Sequence, residues 1–169
     1  HIVCFSDNAF AQARTDCALV RADGGLWYDA AGQAWLDPTD PEVLRYLTAL
    51  CRECGELGFN EVLLDNFCYP ASGDTAAIAN DDGDRAQILT DMAKTLRSSL
   101  PEDVALSVAY RGSGDLTLAQ LADLFDRIYV PAADYDAVAS QLGGQFDAAT
   151  RLVSMTSQAA ETGSYMLVQ

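Results

Sequence analysis

Imidazole is almost absent from this sequence: the one histidine among its 169 residues is His1. A zinc site built on paired histidines cannot be assembled from one. Basic side chains are also scarce, ten Lys and Arg against 25 Asp and Glu, and the resulting net charge of −15 repels a phosphate backbone or an anionic membrane surface. Nucleic acid is thereby set aside as a partner. No apolar run approaches the about 20 residues that cross a bilayer, and the N-terminus has neither the basic region nor the apolar stretch of a signal peptide. Neither GxGxxG nor GxxxxGKS/T follows any strand-like segment, so no dinucleotide or phosphate cofactor is expected. Five cysteines, Cys4, Cys17, Cys51, Cys54 and Cys68, are an odd number and too few for a disulfide-stapled scaffold. Cys51 and Cys54 share one face of a predicted helix, but no second CxxC completes a metal site; they read as buried apolar residues, and no metal is expected.

What is present is an alternation of helix-like and strand-like segments. Asp40, Pro41 and Gly58 mark the ends of a helix over 41–57: a cap, a first-turn proline and a left-handed stop. Between them Val43, Leu44, Leu47, Leu50, Cys51, Cys54 and Leu57 recur at three- and four-residue steps, an apolar stripe that has to lie against something. The run 59–64 follows, short and rich in strand formers, as expected of a strand buried on both faces of a parallel sheet. The alternation continues with a helix over 84–100, a strand over 104–110, a helix over 116–124 and a strand over 127–131. A helix over 135–142 and strands over 150–155 and 164–168, with a short segment near Ala159 between the strands, complete it. With 2–5 at the start this makes six strands, which predicts one parallel α/β domain over 1–169. A barrel and an open sheet both satisfy the pattern.

In such folds functional groups gather after the C-terminal ends of strands. Three segments stand there: Ser6-Asp7-Asn8, Asp65-Asn66-Phe67-Cys68-Tyr69-Pro70, and Asp134-Tyr135-Asp136. Asp65 emerges where a buried strand ends, a costly place for an idle charge. A carboxylate there suits a nucleophile or base toward an anomeric carbon, since glycoside hydrolysis usually needs two carboxyl groups flanking the bond; the plainer reading is a helix cap or structural ion pair. In the excursion 24–43, Trp27, Tyr28 and Trp35 flank a turn at Ala30 to Gly32, so a hairpin over the strand ends would offer aromatic faces to a sugar, with Asp29 or Asp37 accepting hydroxyl bonds. The alternative is that the two Trp residues pin the loop. Asp74, Asp81, Asp82 and Asp84 do not follow the order of an EF-hand and read as a solvated, helix-capping run.

The strand ending near Asp7, the stretch GGLW…AWLDP…PEV, the helix after it and the pattern GFxEVxxDxxxYP together resemble the bacterial putative glycoside hydrolase domains, relatives of the α-amylase-like (β/α)8 barrels. The resemblance implies a TIM-type (β/α) barrel that is incomplete, with about six βα units and the first two missing. It also implies a carbohydrate substrate and an extracellular or cell-surface location. Asp65 takes the place of the family's strand-four acid, Asp7 that of an acid after strand three, and Trp27, Trp35 and Asp37 match the loop between them. Asn66 and Cys68 depart from the family's aromatic and basic residues, so substrate contacts, including those of Tyr28, Asn66 and Tyr69, are expected to differ. Arg111-Gly112-Ser113-Gly114 holds no glutamate where amylase-like enzymes carry the general acid; Asp115 or Asp134 is the substitute expected within the chain. An open barrel end predicts either an N-terminal barrel segment or self-association to cover it. Two rival readings stand beside the glycosidase: a carbohydrate-binding or scaffold barrel that has lost its acid, and a metal-dependent enzyme using Asp7, Asp65 and Asp134.

Overall fold

The computed structural model describes residues 1–81, 83–112, 114–144, 146–158 and 163–168. The predicted segment near Ala159 lies outside them, as do Asp82 and Ser113. Six strands are present: β1 Ile2–Val3, β2 Glu61–Asp65, β3 Ala105–Ala109, β4 Arg127–Pro131, β5 Leu152–Thr156 and β6 Tyr165–Leu167. They form one parallel sheet in the order β1-β2-β3-β4-β5-β6. The helices are α1 Asn8–Ala13, α2 Pro41–Glu56, α3 Arg85–Ser99, α4 Leu118–Leu124, α5 Tyr135–Leu142 and α6 Ala148–Arg151.

Consecutive order is what separates the two architectures the sequence left open. A doubly wound sheet reverses its strand order and so puts helices on both faces; an unreversed series of right-handed crossovers puts them all on one. The strands show it. Val62, Leu64, Leu106, Val108, Ile128, Val130 and Leu152 share one face and are 0–2% exposed, packed into the main apolar core beneath the helices. The alternate positions carry Glu61, Leu63, Asp65, Ser107, Arg127, Tyr129 and Val153, and form the concave face. The chain is thus an α/β half-barrel of six parallel strands, the incomplete TIM-type barrel expected.

Helix boundaries follow local chemistry. Asp40 caps α2 by accepting a 2.7 Å bond from the Glu42 N–H, Pro41 takes the first turn, and Gly58 reaches φ +83° just beyond the end. Val43, Leu47 and Cys51 are buried on its inner stripe. Removing the cap by Asp40→Ala is expected to cost about 1 kcal/mol in denaturant unfolding. Two elements went unread in the sequence, the short α1 and α6; the second occupies the first residues of the segment expected as a strand over 150–155. Each is shorter than two turns, too short for an apolar period to show.

On the concave face, near the N-terminal ends of the strands, Glu61 joins three of them. Its Oε1 accepts from Ser107 Oγ at 2.5 Å and Tyr129 OH at 3.0 Å, and its Oε2 accepts from Arg127 at 2.6 Å. Burial, followed by the Glu61 charge, pushes the Tyr129 phenol up to about 12, so it remains a donor. This network ties β2, β3 and β4 in register across the concave face.

Candidate active site at the strand ends

Asp65 is the last residue of β2, at the C-terminal edge of the concave face, level with Val3 of β1. It is 5% exposed, and hydrogen bonds reach both of its oxygens. Arg111, just past β3, donates in bidentate fashion, Nε to Oδ1 at 3.1 Å and Nη2 to Oδ2 at 2.9 Å. His1 Nε2 lies 3.1 Å from Oδ2, and the Asn66 N–H donates to Oδ1 at 2.9 Å. Such charge-assisted, two-point pairing holds a carboxylate in one orientation.

The residue after Asp65 completes that hold. Asn66 has φ +51°, the left-handed region that asparagine tolerates better than most residues, and its side-chain amide donates to Ser6 Oγ at 2.7 Å. The turn after β1 is thereby fastened to the turn after β2. Asn66, expected as a substrate contact, commits one amide hydrogen to this bond.

The other expected site residues fall in different places. Asp7 caps α1 through the Phe10 N–H at 3.0 Å and accepts from Tyr46 OH of α2 at 2.9 Å. Burial and this bond push the Tyr46 phenol up to about 12, so the donor persists. Asp7 therefore serves the helix layer. Asp134 ends the 3-10 turn Ala132–Asp134 after β4 and makes no capping bond. Leu64 of β2 is level, through Val108, with Ile128 of β4, so Asp65 lies one residue past that level and Asp134 six. Asp115 instead binds the Tyr69 N–H at 2.8 Å and pairs with Arg85 at 3.4 Å, joining two loops.

The aromatic hairpin exists, with Tyr28 and Ala34 bridged antiparallel, but its tryptophans face inward. Trp27 is 2% exposed and its indole N–H donates to the Asp74 carbonyl at 2.7 Å; Trp35 is 7% exposed and donates to Asp29 at 3.0 Å. The expected tryptophan platform is corrected accordingly: these rings anchor the loop, and Tyr28 alone of the three is exposed. Asp29 closes the turn through the Ala31 and Gln33 N–H groups. Tyr69 is buried, with the Arg85 guanidinium 4.6 Å from its ring centre. Of the acidic run expected to cap helices in solvent, Asp84 caps α3, whereas Asp81 is largely buried in a pair with Arg85 and Asp74 makes no side-chain cap bond.

Asp37 is also buried and structural. Thr39 donates to Oδ1 from its N–H at 2.8 Å and its hydroxyl at 2.7 Å, and Asn80 Nδ2 donates to Oδ2 at 2.6 Å. Burial outweighs these bonds and raises its pKa. An acid whose folded pKa is raised stabilises most below its unfolded value, and that contribution is lost as pH rises through the folded one. Asp37→Asn removes the charge, yet it places an amide against Asn80, which cannot flip because its Oδ1 already accepts from the Val20 N–H and its amide donates to the Ala18 carbonyl. The variant is expected to lose about 1–3 kcal/mol relative to wild type in acid, and less at neutral pH where the wild-type carboxylate has already given up that contribution, by denaturant titration at several pH values.

Sequence reasoning missed Arg111 and His1. The signal for Arg111 was a basic residue directly past the end of a buried strand, one strand from Asp65; His1 had been weighed only as a metal ligand.

A family model described as "Putative glycosyl hydrolase domain" matches residues 1–113. A crystal structure of a hypothetical protein from Ruminiclostridium thermocellum is 28% identical, with a TM-score of 0.53, covering 63% of this chain and 54% of that one. An α-galactosidase from Thermus thermophilus, solved in complex with stachyose, is 18% identical, with a TM-score of 0.51, covering 73% of this chain and 25% of that one; at this identity the likeness is one of fold. The chain thus spans about half the length of the first and a quarter of the second. No curated protein matches.

Proposed function

The chain belongs to the putative glycosyl hydrolase domain family, and from that premise we propose that it acts on the glycosidic bonds of an oligo- or polysaccharide, with Asp65 as its central carboxylate. The observation that carries this reading is the placement of Asp65: a buried, rigidly oriented carboxylate at the C-terminal strand edge of a half-barrel, where barrel enzymes assemble their sites. Asp134 is the second carboxyl group proposed from this chain. A pair of carboxyl groups about 6.5–9.5 Å apart fits an inverting enzyme and one about 5–5.5 Å apart a retaining one. In the inverting arrangement Asp65 acts as the base that activates water, and Asp134 as the acid. Screening the full-length protein against neutral and acidic oligosaccharides, with product stereochemistry followed by NMR, tests this. Full activity in Asp134→Asn would remove Asp134 from the pair.

One observation favours a second reading, a carbohydrate-binding barrel without turnover. Asp65 already accepts two bonds from Arg111, one from Asn66 and one from His1, so a water or sugar must displace a partner to reach it. Saccharide binding without hydrolysis across the panel would decide for this reading. Among the described residues no helix is long and apolar enough to cross a membrane.

A further inference from the structure

The pairing around Asp65 is unlike the other ion pairs among the described residues in how it divides exposure. The Asp65 side chain is 8% exposed, whereas its partners Arg111 and His1 are 57% and 46% exposed. Elsewhere the two partners differ far less, as in Arg14 with Asp16 at 44% and 66%, or Arg127 with Glu61 at 42% and 23%. At the strand-end mouth the negative charge is hidden and the nitrogen donors are displayed. A molecule arriving there meets N–H groups first, in a protein whose net charge of −15 would otherwise turn an anion away.

The guanidinium has a second usable edge. Arg111 engages Asp65 through Nε and Nη2, and among the described residues no hydrogen bond is made by its Nη1. The planar fork presents Nη1 and the remaining Nη2 hydrogen in the same plane, a geometry matched to a carboxylate. His1 offers its imidazole to the same point, held by the same carboxylate.

We propose that Arg111, aided by His1, is a receptor for a sugar carboxylate, and that the substrate class is a glycan containing hexuronic acid. This rests on the proposed glycosidase reading and names its substrate. In a hexuronate the carboxylate is carried on C5, which is separated from the anomeric carbon by the ring oxygen alone. Seating that carboxylate on the outer edge of Arg111 brings the anomeric carbon within a ring's width of Asp65. Recognition and the proposed chemistry then share one residue pair, with Arg111 bridging the substrate anion and the protein's own.

The test compares short oligouronates (galacturonate, glucuronate and mannuronate series) with their methyl esters, which keep the shape and remove the charge. Binding to the full-length protein is measured by isothermal titration calorimetry at two salt concentrations, alongside turnover. At least one acid series is expected to bind tenfold or more tighter than its ester, with the advantage shrinking at high salt. Arg111→Gln is expected to abolish the preference, and Arg111→Lys to keep part of it, since a point cation attracts the anion without two-point geometry. His1→Gln, which leaves the Arg111 pair intact, is expected to weaken acid binding two- to fivefold. Equal affinity for acid and ester, no binding of any acid, or a preference unchanged in folded Arg111→Gln would each overturn the proposal. Hydrolysis of neutral glycans without acid preference overturns this inference and leaves the glycosidase reading standing. Acid-selective binding through Arg111 without any turnover does the reverse.

Discussion

Asp65→Asn in the full-length protein is expected to lower turnover of a glycan substrate by about 10²–10⁴-fold, the usual contribution of a positioned general base. The substitution is nearly isosteric, so the loss should lie in kcat, with KM changed little. The fold should tolerate it. Arg111 is more than half exposed, and water can take over the N–H groups that lose their acceptor, which limits the stability cost to about 1–2 kcal/mol. Asp65→Glu supplies the complementary measurement. It retains the charge but shifts it by a methylene, and a misplacement of about 1 Å is enough to cost about 10²-fold. A variant pair in which Asn is inactive and Glu fully active would show that charge matters and position does not, contrary to the rigid four-bond hold around this carboxylate. Full activity in Asp65→Asn would remove the residue from the chemistry altogether.

The second large effect concerns stability. Trp27→Ala is expected to destabilise the protein by about 3–5 kcal/mol, because the indole is almost wholly buried and its removal leaves a cavity beneath the hairpin. Trp27→Phe retains most of the ring but strips the Asp74 carbonyl of its donor, for about 1–2 kcal/mol. Both losses are read by denaturant unfolding. Glycan affinity, measured at a temperature where each variant is folded, should be unchanged by Trp27→Phe. A variant of normal stability with weakened glycan binding would instead return Trp27 to the sugar platform that its place in the sequence had predicted.

Those two residues show where sequence reading succeeds and where it stops. The position of Asp65 was legible because it is local: a buried strand followed by a carboxylate marks a strand end, and in a parallel fold that end lies on the edge where sites gather. Trp27 was not. An aromatic in a loop has the same composition whether its face meets a sugar or the core, and the difference is set by Asp74, 47 residues away, whose carbonyl takes the indole proton. Asp37 repeats the lesson through Asn80, and Asp7 through Tyr46. Arg111 went unrecognised for the same reason: its role exists only because pairing of β2 with β3 lays it beside Asp65.

By itself, then, the sequence determined the elements and their alternation, because apolar period, caps and turn residues act over a few positions and leave a visible pattern. It also marked Asp65 as a strand-end carboxylate. Whether the strands formed a reversing sheet or a half-barrel was settled by their pairing order, which places every helix on one face and leaves the other concave. Which donors reach each carboxylate was decided in three dimensions as well. A carboxylate's surroundings depend on the donors that reach it, and Asp7, Asp37 and Asp65 each take, beside a local donor, at least one from 39 to 64 residues away.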